Sequence, residues 1–153
     1  MKTELIHCSE KHYLKINNKI ARNKYLRNEI IYRILYSVGI YRNYFFILTN
    51  DNQTIGALVI RSRISRKSLK RFWWIYGVII NEDFRGKGFG VDIMNKAINW
   101  LKDKRVNEVL LYVDKDNKKA ISLYLGLGFK ILRNSKYHKL QSQQFLMAKE
   151  ITR

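Results

Sequence analysis

The stretch from Val78 to Gly90, VIINEDFRGKGFG, constrains this chain more than any other. An apolar, aromatic-rich run from Phe72 to Ile80 reads as a strand. Three alternate glycines, Gly86, Gly88 and Gly90, then give way to a helical pattern from about Gly88 to Lys104. The expected apolar face of that helix is Val91, Met94, Ala97, Ile98 and Leu101. A glycine turn at a helix start leaves backbone N–H groups unpaired and lets a ligand approach without a Cβ in the way. Helix N-termini attract anions, phosphates above all, and Arg85 and Lys87 add positive charge there. The physical reading is a pyrophosphate cradle. It is not a dinucleotide fingerprint, whose third glycine would fall on Val91, nor a P-loop, which needs a Gly-Lys-Ser/Thr ending.

The remaining pattern places this turn in an alternating α/β chain. Residues 3–7 read as a short strand, and Ser9 as the N-cap of a helix over 10–18. Residues 25–37 have helical spacing with a stop at Gly39. Tyr44–Thr49 and Thr54–Ser62 read as paired strands about a turn at 50–52. Val109–Val113 is a buried strand, and Asn117–Leu127 a helix closed by Gly128. Phe129–Leu132 opens a further strand, and Phe145–Lys149 closes the chain. The chain contains no proline, and no internal repeat divides it, so residues 1–153 read as one domain. Antiparallel strands come first and a strand–helix–strand crossover follows.

Two blocks then carry a resemblance. Arg85-Gly86-Lys87-Gly88-Phe89-Gly90 resembles the acetyl-CoA-binding signature Q/R-x-x-G-x-G/A of the GNAT superfamily of N-acetyltransferases. About 30 residues on, VDKDNKKAISLYLGLGF is similar to the family's V-x3-N-x2-A-x2-L-Y-x3-G-F block, on Val113, Asn117, Ala120, Leu123, Tyr124, Gly128 and Phe129. The resemblance covers residues 75–132. It implies a mixed, mostly antiparallel central sheet flanked by helices, with splayed fourth and fifth strands. It implies that the arm of acetyl-CoA lies in the splay against Val78, Ile79 and Ile80, with its pyrophosphate on the amides from Arg85 to Gly90. It further implies that Asn117 contacts the arm and that Tyr124 lies near the sulfur.

Acetyl transfer needs an uncharged amine, donors for the oxyanion and a proton source for the departing thiolate. A thiol has a pKa of about 8.5 and a tyrosine about 10, so a positioned Tyr124 phenol suits the last role. Its bland alternative is a core aromatic at helical spacing with Ala120 and Leu127. Many family members carry a glutamate in the fourth or fifth strand, but WWIYGVII and VLLYV hold no acidic residue. The candidates for a base are Glu82, Asp114, His138 and water relayed through Tyr76 or Tyr112, or the amine arrives neutral. Gly126 is a second departure: it frays the last helical turn or leaves room beside Tyr124.

Composition bears on the acceptor. The net charge is +18, which disfavours polycationic partners, although codon bias alone could produce it. Residues 61–71, RSRISRKSLKR, hold six basic residues and no acidic one, and read as a hairpin tip. With Phe72, Trp73 and Trp74 beside it, this segment is a candidate RNA contact, set against a solvated hairpin with packed tryptophans. Three functions stay open. They are an N-acetyltransferase for a small-molecule, peptide or protein amine, one acting on an aminoacyl-tRNA, and a non-catalytic module binding nucleic acid or CoA. Cys8 is the lone cysteine, and His7, His12 and His138 lie at no metal-ligand spacing, so no metal is expected. No signal-peptide core or membrane-length apolar run is present, so a cytoplasmic protein is expected, with a homodimer allowed.

Overall fold

The computed structural model describes residues 3–13, 40–50, 53–65, 68–133 and 142–151. Its strands are β1 (Glu4–Cys8), β2 (Tyr41–Asn50), β3 (Gln53–Ile64), β4 (Arg71–Ile80), β5 (Glu108–Asp114), β6 (Lys130–Ile131) and β7 (Gln144–Glu150). A 3-10 turn, Glu82–Phe84, follows β4, and two helices are complete, α1 (Phe89–Asp103) and α2 (Lys118–Gly126). The helix expected over 10–18 is described only at its start. There Ser9 caps as expected: its Oγ accepts from the His12 amide at 3.3 Å and its carbonyl from the Tyr13 amide at 3.0 Å. The helix expected over 25–37 lies outside the described residues.

The strands form one seven-stranded sheet in the order β1-β2-β3-β4-β5-β7-β6. Neighbours are antiparallel except β4 and β5, which run parallel and meet in one register pair, Trp74 with Leu110. That single pair is the expected splay. A connection from one strand to its parallel neighbour needs a crossover, and α1 supplies it. The core packs α1 against one sheet face. Ile93, Met94, Ala97 and Leu101 are fully buried with Phe46, Leu58, Ile60 and Leu111.

Two expectations are corrected. Val91 is 43% exposed, and Ile93 takes its place in the core. At about 100° per residue, Val91 lies roughly 120° around the helix from Ala97, the centre of the buried stripe. Residues 61–71 are also not all tip. Arg61 and Arg63 belong to β3 and Arg71 to β4. Arg61 donates from Nε to Asn43 Oδ1 at 2.8 Å and lies 4.9 Å from the Tyr76 ring centre. Arg71 donates to Oγ of the fully buried Ser62 at 2.8 Å.

Gly56 fixes the spacing of β3 and β4. A Cβ there would lie 2.5 Å from the Ile79 carbonyl oxygen and 2.7 Å from Ile80 Cδ1. Gly56→Ala is therefore expected to cost about 1–3 kcal/mol, read as a lower urea midpoint. An unchanged midpoint would mean the two strands part freely at this end.

Candidate active site

The site starts where β4 leaves its partners. Ala57 pairs with Ile79 and Val59 with Tyr76, so Leu58 faces two residues, Gly77 and Val78, in a β-bulge. Gly77 has φ +56, which glycine adopts at little cost. A bulge bends its strand and strengthens the local twist. Here it turns the end of β4, with half-buried Val78, Ile79 and Ile80, away from β5.

The chain then tightens. The amides of Phe84 and Arg85 donate to the carbonyls of Asn81 at 2.9 Å and Glu82 at 3.1 Å. The Arg85 side chain folds back on the same turn, with Nε on the Ile80 carbonyl at 3.1 Å and a guanidinium nitrogen 3.1 Å from Glu82. Arg85 thus closes the turn with its amide and side chain both engaged. Lys87 sits 5.7 Å from the Phe84 ring centre.

The three glycines divide their work. Gly86 and Gly88 have φ +76 and +83, and nothing lies within 4 Å of where a Cβ would stand on either. Their shape is set by backbone conformation, and the space beside them is open. The Gly88 carbonyl accepts from the amides of Val91 and Asp92, so α1's hydrogen-bond ladder begins there. The amides of Phe89 and Gly90 lie ahead of that ladder, among the donors a helix leaves without internal partners. Gly90 does something else. A Cβ on it would come within 2.7 Å of Leu123 Cδ1, so it lets α2 dock against the start of α1. That contact joins the two sequence blocks and brings the α2 turn carrying Tyr124 to the glycine turn.

Asn117 is the N-cap of α2. Its Oδ1 accepts from the Ala120 amide at 3.1 Å, so one end of the side chain is committed to the helix. Tyr124 is 9% exposed and its ring centre lies 5.8 Å from that of Phe129. Burial pushes its phenol up to about 12. Gly128, at φ +83, closes α2: its amide donates to Leu125, and the Phe129 amide reaches back to the Tyr124 carbonyl at 3.0 Å. Gly126 is the last helical residue and has nothing within 4 Å of a Cβ position.

The candidate bases separate. Glu82 is tied to Arg85, and Asp114 Oδ1 accepts from Gln144 Nε2 at 2.6 Å. Tyr76 and Tyr112 both stack near Trp74, with ring centres 5.9 and 5.2 Å away. Burial raises the Tyr112 phenol, with the Arg63 charge opposing. His138 lies outside the described residues. Sequence reasoning missed two features. Gly77 carried a signal, an isolated glycine inside a strand pattern. Tyr13, 3% exposed and pushed up to about 12 mainly by burial, carried none. Its hydroxyl lies 3.2 Å from where a Gly77 Cβ would stand. Among the described residues no helix is long and apolar enough to cross a membrane, and no group of three His, Cys, Asp or Glu could hold a metal ion.

Known proteins resemble this chain in sequence and fold. An uncharacterised N-acetyltransferase of Methanocaldococcus jannaschii is 33% identical over 86 residues, which are 56% of this chain and 38% of that protein. N-alpha-acetyltransferase 30 of Schizosaccharomyces pombe is 26% identical over 102 residues, 67% of this chain and 66% of that one. The chain thus matches less than two thirds of the length of these relatives. Arabidopsis thaliana Naa50, solved in complex with the bisubstrate analogue CoA-Ac-MVNAL, superposes with a TM-score of 0.69 at 17% identity. That match covers 97% of this chain and 99% of that one, and shows a common fold. The model of the acetyltransferase (GNAT) family matches residues 12–129, most of the chain and both glycine-bearing blocks, and the chain belongs to that family.

Proposed function

We propose that the protein is an acetyl-CoA-dependent N-acetyltransferase that moves the acetyl group onto a primary amine of a small molecule, peptide or protein by direct attack in a ternary complex. The observation that carries the reading is the open backbone at Gly86 and Gly88 at the start of α1, beside Arg85 and Lys87. This space fits a pyrophosphate: the amides of Gly86 to Gly90 offer donors, the helix start offers a favourable field, and Lys87 offers charge. Arg85 contributes by holding the turn closed.

The half-buried end of β4, Val78 to Ile80, offers backbone groups to the pantetheine arm where β4 leaves β5. The Asn117 amide nitrogen remains for that arm while its oxygen caps α2. Tyr124 acts at the sulfur. The amine nitrogen bonds to the thioester carbonyl carbon, the C–S bond breaks, and the sulfur takes a proton from the Tyr124 hydroxyl. The acetylated nitrogen loses a proton, which passes through solvent to the Tyr124 phenolate, leaving an acetamide, free CoA and the phenol restored. The phenol stays neutral over the working range, so it enters as a donor. β4 holds no acidic residue, and of the two in β5 Glu108 lies at the end remote from the glycine turn and Asp114 is engaged by Gln144, so the amine enters as its free base.

A screen of primary amines, reading CoA release from acetyl-CoA, tests the reading. Turnover is expected with at least one amine class, with kcat/KM rising with pH up to that amine's own pKa. CoA bound without release to any amine would leave a binding module. A profile fixed near pH 6 or 7 for every amine would reveal a base on the protein.

A further inference from the structure

The single register pair between β4 and β5 leaves two openings in the sheet. One holds the site above. The other lies at the opposite end of the same strands, where a cavity of about 360 Å³ is lined by Lys70–Trp73 and Arg105–Glu108. Nine residue steps along β4 at about 3.3 Å each put Arg71 roughly 30 Å from Ile80. A ligand here would not touch the glycine turn.

Three of the eight lining residues are cationic, Lys70, Arg71 and Arg105, against one carboxylate, Glu108, which pairs in register with Glu150. The Arg71 guanidinium is anchored on buried Ser62. Trp73 is held by aromatic neighbours, with Tyr44 stacked at 5.9 Å and Trp100 edge-on at 6.2 Å.

The backbone is unusual at the same place. Among the described residues two non-glycines have positive φ, Leu69 at 53° and Arg105 at 55°. Leu69 adjoins Lys70 at the rim, and Arg105 is in the wall. Arg105 follows α1 in the position where helices most often carry glycine, with the Val106 amide reaching back to the Leu101 carbonyl at 3.0 Å. A left-handed conformation crowds the Cβ of a non-glycine residue against the following carbonyl oxygen. Capping alone favours glycine; this position keeps a guanidinium that lines the cavity.

We propose that this cavity is a second ligand site that takes a nucleotide phosphate, with the phosphate held by Lys70, Arg71 and Arg105 and the base lying against Trp73. The same chemistry is presented by a free nucleotide and by the end of an RNA strand. Paired cations and rigid aromatic surface are the elements that hold single-stranded nucleic acid.

The test uses the full chain saturated with CoA, so that nucleotide cannot enter the glycine turn. AMP and a 5′-phosphorylated hexauridylate are titrated calorimetrically at two salt concentrations. The variant Lys70→Gln with Arg105→Gly removes two cations, and its glycine relieves the backbone, so the fold survives. Arg105→Gly alone should melt no lower than wild type. Wild type is expected to bind at least one probe, and the variant to bind it about 10-fold more weakly with unchanged CoA affinity. Equal binding of AMP and oligonucleotide identifies a free-nucleotide site. Preference for the oligonucleotide with a steep salt dependence identifies an RNA strand. No binding of either probe at about 1 mM, or equal binding by wild type and variant, overturns the proposal. Failure of CoA itself to bind would overturn the acetyltransferase reading instead, and the two probes would then report without it.

Discussion

A Gly88→Asp variant is expected to fold and to lose acetyl-CoA. The residue sits at φ +83 with nothing within 4 Å of its Cβ position, so a side chain meets no clash. The conformational cost is about 1 kcal/mol, and aspartate tolerates this region better than most residues. The introduced carboxylate lies at the start of α1, where the helix field favours it. It therefore occupies the place and the electrostatic role offered to the pyrophosphate, and repels the pyrophosphate as well. Affinity is expected to fall at least about 100-fold by calorimetry, with circular dichroism and melting temperature near wild type. Gly88→Ala carries the same backbone cost without charge and should lose much less. Wild-type affinity in the aspartate variant would remove the cradle.

Tyr124→Phe is expected to lower kcat on the order of 10²-fold with little change in acetyl-CoA affinity. The ring keeps its place against Phe129, because only the hydroxyl is removed. The raised phenol pKa adds a second readout. Folded Tyr124 resists ionisation up to about 12, against about 10 in an unfolded chain. Its stabilising contribution is complete below pH 10 and declines as pH rises toward 12, where the unfolded chain ionises first. The phenylalanine variant lacks that loss, so its stability relative to wild type should improve between pH 10 and 12. Wild-type turnover together with this alkaline gain would make Tyr124 a packing residue.

The parts of the site readable in sequence are those set by local backbone chemistry. Gly86 and Gly88 between an apolar strand and an amphipathic helix announce a tight turn at a helix start, and both sit at positive φ. Asn117 before Ala120 and Gly128 after Leu127 mark the ends of α2, and the structure uses them as cap and stop. What could not be read depends on contacts between distant elements. Gly90 matched the same glycine pattern, but its conformation is helical and its function is to admit Leu123. Val91 fell off the buried stripe because five apolar positions in a short helix fit more than one phase. The Phe129–Leu132 strand shrank to Lys130–Ile131 because β7 alone pairs with it. The cavity beside Trp73 joins residues 70–73 to 105–108, which no local pattern connects.

The lone Trp74–Leu110 pair also bears on how the chain assembles. β2, β3 and β4 follow one another through short turns, so their pairings close small loops. β5 and β7 meet across about 30 residues, while α1 links β4 to β5. Closure entropy grows with loop length, which favours β2 to β4 as the first unit to order as the chain leaves the ribosome. β5 and β7 pair along seven residues, and this group joins β4 along a seam with a single register pair. The crevice proposed for the acetyl donor thus lies where these two strand groups join, at the place where the β4 bulge parts them.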